Sequence, residues 1–369
     1  MSIRVWEYLA EYADEREDVL AAVDRVFSSG TLILGESVKN FEIEFASFCK
    51  SADAVGVDNA TNGLFLALKA LDIGPGDEVI TVSNTAVPTV SAIEKAGAIT
   101  KFVDIEPVSC LMDVSQLEKV ITSKTKAVIP VHLYGQCVDM TSLMKICTSK
   151  KIHVIEDCSQ SHGATHQGQP CGSIGDLGVF SFYPTKPLGG FGDGGMITCS
   201  SNFLADRLRS LRFYGMKDTY YAEEQGYNSR LDEVHAEILR FKLGRFWDYI
   251  DRRRKIAARY TSALVGTNLT LPSINKDNSH VYYVYVARHV NRDQIISALK
   301  KSDIHLNISY PFPIHLMRGY AHLGGKVGDF PETEKAAKEI FSLPMFPSLS
   351  EQNQDLVCAA LKDIPEIIT

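Results

Sequence analysis

From about residue 52 the chain repeats one rhythm, a short apolar run followed by an amphipathic stretch. "DAVGVD" gives way to "NATNGLFLALKAL", "DEVITV" to "PTVSAIEKAG", and "ITKFVDI" to "DVSQLEKVI". "KAVIPVHL" is then followed by "DMTSLMKICTSK", and "KIHVIED" closes the series. Val/Ile runs without polar alternation belong to strands buried on both faces, and the helical period between them supplies the covering layers. The pattern predicts an α/β fold whose mainly parallel sheet lies between helices.

The rhythm then changes. "DLGVFSF" and "GMITCS" read as two strands with only a loop between them. Helical sequence follows from about residue 203 to 214, and then a long amphipathic stretch, "RLDEVHAEILRFKLGRFWDYIDRRRKIAARYTSAL". "HVYYVYVAR" reads as a strong strand that opens a small α+β unit. The expected division is a large domain with an N-terminal helical segment over 1–248 and a small C-terminal domain over 249–369. A chain of 369 residues has room for both.

The net charge of −7 disfavours a broad nucleic-acid surface. No apolar run is long enough to span a membrane, and the opening "MSIRVWEYLAEYADERED" is too polar for a signal peptide. The eight cysteines show no paired spacing, so reduced thiols in a cytoplasmic protein are expected.

In open α/β sheets, ligands bind beyond the carboxyl ends of the strands. Three strand ends carry candidate chemistry. After "AVGVD", Asn59, Ala60 and Thr61 open a helix, where free N–H groups suit an anion and also suit a plain N-cap. After "KIHVI" come Glu156, Asp157, Cys158, Ser159, Gln160 and His162. Asp157 at a strand end can anchor a cationic ring nitrogen or serve as a turn residue. Asp157, Cys158 and His162 match no closed metal site, so no metal is expected. After "DLGVFSF" comes Tyr183-Pro184-Thr185-Lys186. Lys186 is either a Schiff-base lysine or a solvated surface lysine. The neighbouring G-x-G-x-x-G match (Gly190, Gly192, Gly195) runs into a strand instead of opening a helix, which excludes it as a dinucleotide loop.

Taken together and in this order, "SSGTLILGESVKNFEIEFASFC", "VGVDNATNGLFLALKAL", "PVHLYGQ", "VIEDCSQSHGA", "FSFYPTKPLGGFGDGGMI", "GYNSRLDEVHAEILRFKL" and "FPETEKAAKEIFSLPMFPSL" resemble the DegT/DnrJ/EryC1/StrS sugar aminotransferases. These belong to the aspartate-aminotransferase fold, type I of the pyridoxal-phosphate (PLP) enzymes. The resemblance covers nearly the whole chain. It implies that Lys186 holds the cofactor as a Schiff base and that Asp157 pairs with its pyridine nitrogen. It places Gln160 near the ring's phenolic oxygen, and Ser181 with the Ala60–Thr61 turn around the phosphate. Asn228, in "GYNSR", would reach the phosphate of a neighbouring subunit, which implies a homodimer. Some relatives carry His at the lysine position and act as dehydrases, so Lys186 argues for amino transfer. Two positions depart from the pattern. Ala86 stands where many relatives stack an aromatic on the PLP ring, and Pro187 stands where Asn is common.

The resemblance extends to substrate. "IRVWEYLAEY", "DNATNGL" and "SNTAVPTVSAI" are most similar to enzymes that aminate dTDP-3-keto-6-deoxyhexoses at C-3 with L-glutamate. The expected product is a dTDP-3-amino-3,6-dideoxyhexose of glucose or galactose configuration. A C-4 nucleotide-sugar aminotransferase and a non-catalytic binding or regulatory relative are the alternatives. Candidate sugar contacts are Tyr183, Arg230, Tyr310 and His315, with His132 and Tyr134 in "VHLYG" as further possibilities. His132 ends a buried strand and reads more readily as a satisfied core histidine.

Overall fold

The computed structural model describes residues 2–217 and 220–368. The apolar runs become strands β1 (Asp53–Val57), β2 (Glu78–Val82), β3 (Ile99–Val103), β4 (Thr125–Val128) and β5 (His153–Asp157). A hairpin of β6 (Thr165–His166) and β7 (Gln169–Pro170) precedes β8 (Leu177–Ser181) and β9 (Gly195–Cys199). The C-terminal unit adds β10 (Tyr285–Arg288) and β11 (Ile340–Leu343). The helices are α1 (Tyr8–Ser29), α2 (Glu36–Cys49), α3 (Ala60–Ala70), α4 (Val87–Ala96), α5 (Leu117–Val120) and α6 (Met140–Lys150). They continue with α7 (Asn202–Leu211), α8 (Glu233–Gly244), α9 (Phe246–Leu264), α10 (Arg292–Lys301), α11 (Pro331–Glu339), α12 (Glu351–Lys362) and α13 (Pro365–Ile368).

The main sheet has seven strands in the order β1-β9-β8-β5-β4-β2-β3. All neighbours are parallel except β9, which runs antiparallel to both β1 and β8. This is the mixed sheet between helices that the sequence predicts, and the direct β8–β9 return is the change of rhythm. Successive strand residues enter opposite layers, as a period of two requires. Val179 packs with α3 and α7 residues such as Leu64 and Leu208, whereas Phe180 packs with Phe41 and Phe45 of α2. Phe45 is fully buried and meets Phe180 edge to face at 4.9 Å between ring centres. Burial of a side chain that size contributes roughly 1.5–3 kcal/mol.

Four findings bear on the expectations. The long amphipathic stretch breaks at Arg245 into α8 and α9, and the division at residue 248 falls inside α9. Phe246 and Ile250 of α9 pack in the large unit, while Ile256, Tyr260 and Leu264 pack with the C-terminal unit, so one helix spans both cores. The start of the chain also crosses over. Ile3 lies in the C-terminal core and exchanges backbone hydrogen bonds with Asp303 and His305, 2.9 and 2.8 Å. "HVYYVYVAR" is extended only from Tyr285, because Tyr282 sits at φ 51 and Val281 donates instead to the Gly135 carbonyl. Finally, the expected free thiols are six, all buried, because Cys137 and Cys171 form a disulfide. The pair is 34 residues apart, and it is the loop after β4 and the β6–β7 hairpin that bring it together.

Candidate active site

β5 and β8 are parallel neighbours, and each ends in a candidate residue, Asp157 and Ser181. The end of β5 is held on both sides. The Asp157 amide donates to the Pro130 carbonyl and its own carbonyl accepts from the His132 amide, 2.9 and 3.0 Å. Its carboxylate accepts from Thr89 Oγ1 at 2.8 Å and from the Ser159 amide at 3.1 Å. Asp157 is 4% exposed and makes no ion pair within the described residues, so its charge awaits a cationic partner.

One residue before it, Glu156 points to the other side of the sheet. It is fully buried and accepts from the amides of Gly172, Ile174 and Gly175 at 2.7–2.9 Å. His132 Nδ1 accepts from the Val138 amide, which places the proton on Nε2, 2.9 Å from Glu156. Burial alone would raise the Glu156 carboxyl. The His132 ring and the backbone N–H groups outweigh burial and hold it below the ordinary range. His132 is therefore a satisfied core histidine with both nitrogens engaged.

Gln160, just past β5, is locked by two bonds. Its Oε1 accepts from the Tyr134 amide at 2.8 Å and its Nε2 donates to Tyr310 Oη at 2.5 Å. Tyr134 and Tyr310 both sit at positive φ, 63 and 65. Burial, with Tyr283 and Asp157 nearby, pushes the Tyr310 hydroxyl well up, so it stays protonated. Tyr310 belongs to the C-terminal unit, so the site lies where the two units meet.

Lys186 sits in the β8–β9 loop, its amide donating to the Tyr183 carbonyl at 2.9 Å. Its Nζ lies 4.7 Å from the centre of the Tyr283 ring, and the hydroxyls of Thr185 and Tyr283 are 3.1 Å apart. The loop glycines serve the protein's own packing. A side chain at Gly189 would collide with Pro184, one at Gly190 with His235, and one at Gly195 with Asn59 and Ala60. Gly195 thus lets β9 press against the start of α3. There Asn59 caps the Asn62 amide at 2.8 Å, while the Ala60 and Thr61 amides have no acceptor within the described residues. Ser181 Oγ accepts from the Tyr183 amide at 3.3 Å and keeps its own proton to donate.

Other predicted residues lie further out. Tyr183 is 51% exposed. Asn228 is exposed, and Arg230 stacks over Phe213 and Tyr214 at 5.6 Å from each ring. Between them Ser229 donates to Asp58 at 2.5 Å, which ties this segment to the start of α3. His315 is buried and clamped, Nδ1 to Ser83 Oγ at 2.7 Å and Nε2 to Glu334 at 3.3 Å. Its ring has no nitrogen left for a sugar. Ala86 is half-buried at the start of α4, three residues before Thr89. Sequence reasoning gave no role to Thr89, Glu156 or Tyr283, although all three lie in stretches it read; only the fold shows what they touch.

The donor set fits PLP. A buried carboxylate suits a pyridinium nitrogen, and unpaired helix-start amides beside a serine hydroxyl suit a phosphate. A lysine in the adjoining loop suits an aldehyde carbon.

The family model described as DegT/DnrJ/EryC1/StrS aminotransferase family matches residues 13–362. A curated protein from Micromonospora megalomicea subsp. nigra, named dTDP-3-amino-3,4,6-trideoxy-alpha-D-glucose transaminase, is 51% identical over 99% of both chains. The solved structure of DesV from S. venezuelae is 38% identical, with a TM-score of 0.96 over 98% of both chains. A sugar aminotransferase structure from Streptococcus pneumoniae, described as putative and in its PLP form, is 27% identical, with a TM-score of 0.88 over 94% and 95% of the two chains.

Proposed function

The chain belongs to the DegT/DnrJ/EryC1/StrS aminotransferase family, and from that premise we propose that it uses PLP to transfer an amino group onto C-3 of a dTDP-linked 3-keto-6-deoxyhexose, with L-glutamate as donor. The observation that carries this reading is the pairing of a buried, cation-seeking Asp157 with Lys186 beyond the ends of two adjacent parallel strands.

PLP, when bound, supplies an electron sink for the carbon that gains or loses a proton beside the amine. Asp157 would hold its ring nitrogen protonated, and Gln160, fixed by Tyr134 and Tyr310, would face its phenolic oxygen. Ser181 with the Ala60 and Thr61 amides would take its phosphate, and Asn228 of a second copy would complete that cradle. Lys186 Nζ delivers a proton to sugar C-3 as the amine arrives there, and removes the α-proton of glutamate in the other half of the cycle. The Tyr283 ring face keeps the Lys186 amine at the loop between these transfers.

The test is turnover of the purified, PLP-saturated protein with dTDP-3-keto- against dTDP-4-keto-6-deoxyhexose, with UDP-linked sugars as a further arm. The amine position is assigned by NMR. Amination at C-4 would move the reading to the other branch of the family. No amino transfer to any keto-sugar would favour a non-catalytic relative.

A further inference from the structure

Arg253 on α9 is an anomaly within the C-terminal half. It is 3% exposed and forms no ion pair within the described residues. Its Nη1 donates to three carbonyls, those of Tyr282, Tyr283 and Met345, at 3.1–3.3 Å. Its Nε–H is buried and donates to nothing. Burial pulls this guanidinium below its ordinary range, and Glu11 and Tyr283 oppose that only in part. Buried arginines without a carboxylate contact are costly, and each unpaired buried donor adds to that cost.

A narrow pocket lies against this side chain, walled by α1, α8, α9 and the lysine loop at Pro184, Lys186 and Pro187. A second orphan lines it. Ser348 Oγ, three residues after the Met345 carbonyl that Arg253 holds, is also buried without a partner. Two of the three acids on the pocket wall already hold donors, and the third, Asp14, is exposed to solvent. Glu15 accepts from Lys242 at 2.9 Å and from Tyr249 at 2.5 Å, and Glu11 accepts from the Trp6 indole at 3.3 Å. Arg245 and Arg252 add positive charge to the same wall. The free volume is about 30 Å3, where one water needs roughly 10–15 Å3 on the same measure. That is room for two water-sized groups, the footprint of one carboxylate, and far too little for a nucleotide.

We propose that this pocket is a binding site for a small carboxylate-sized anion, held by Arg253 Nε and Ser348 Oγ behind the Lys186 loop. A water would satisfy one donor or both, but it would leave the buried guanidinium without a counter-charge. An anion satisfies both. The site does not depend on the identity of the sugar. Two sources share the required chemistry, a carboxylate of the amino donor and a free inorganic or organic anion.

Crystals of the full-length holoenzyme soaked in sodium bromide test the site directly. The expected result is an anomalous peak within about 3.5 Å of Arg253 Nε. In solution, sodium formate should raise the thermal midpoint of the wild type saturably, by about 2–4 °C at roughly tenfold above its Kd. Arg253 also holds three carbonyls, so its removal risks the fold. Ser348→Leu instead fills the pocket from its rim and should abolish the formate response. Loss of the bromide peak on adding millimolar L-glutamate or 2-oxoglutarate assigns the site to the donor's carboxylate. Retention of the peak assigns it to a free anion. An ordered water in place of bromide, or an equal formate response in wild type and Ser348→Leu, overturns the proposal.

Discussion

The end of β5 and the loop that follows its neighbouring strand β8 are built in opposite ways. Asp157, Glu156 and Gln160 are buried, and every one is fixed by two or more hydrogen bonds to backbone or side chains. Lys186 and Tyr183 are partly or largely exposed, and Lys186 Nζ lies over the Tyr283 ring face. The floor is preorganised at a cost in buried charge, and the loop leaves the Lys186 amine accessible, as its proposed role requires. Electrostatic groups that act without moving belong on strand ends, and groups that move belong on loops.

That contrast can be broken from either side. Lys186→Ala should have the largest effect, a loss of at least about 10³-fold in turnover. Its thermal midpoint should stay near wild type, because the amine supports no packing. Steady-state assay and a thermal scan check both halves of that statement. Asp157→Asn should lower kcat by about 10²–10³-fold with little change in KM, since a neutral amide cannot hold a proton on a ring nitrogen. A matching loss in KM would place Asp157 in substrate binding instead.

Glu156→Gln should act on stability and hardly on chemistry. Removing one charge from the buried His132–Glu156 pair is expected to cost about 3 kcal/mol in urea unfolding. Acid should weaken the protein through two histidines. Burial, reinforced by Lys186 for His162 and by Arg254 for His280, takes both rings from 6.5 to about 3. They stay neutral when folded and protonate when unfolded. Stability should therefore fall as pH drops from about 6.5 towards 3, by about 1.4 kcal/mol per pH unit for each ring. Unfolding midpoints at pH 7.5, 5.5 and 4.5 test the slope, and His280→Asn should roughly halve it. The smallest effect belongs to the exposed side of the loop. Tyr183→Phe should change kcat/KM by less than about tenfold, and a larger loss would bring Tyr183 inward against the sugar.

The layered sheet, the direct β8–β9 return and the three strand-end candidates were all legible, because each rests on a local period or on residues a few positions apart. "VIED" announces a buried strand ending in carboxylates, but not that Glu156 and Asp157 serve opposite faces. Nor does "VHLYG" reveal that His132 donates to a buried carboxylate 24 residues ahead. His315 read as a sugar contact until Ser83 and Glu334, from distant parts of the chain, took both its nitrogens. Tyr282 ended a strand that composition favoured, because a loop 146–147 residues earlier claimed the neighbouring backbone.

By itself, then, the sequence determined the fold class and pointed to the β8–β9 loop and its lysine as candidates, since hydrophobic period and loop chemistry are written within short windows. Tertiary structure decided which polar groups are already satisfied and which are left wanting. It closed Cys137 on Cys171, tied the first residues to the C-terminal core, and left Arg253 and Asp157 buried with no ion pair among the described residues. Satisfaction of a buried charge depends on what lies within about 3 Å in space, and sequence separation carries no information about that distance.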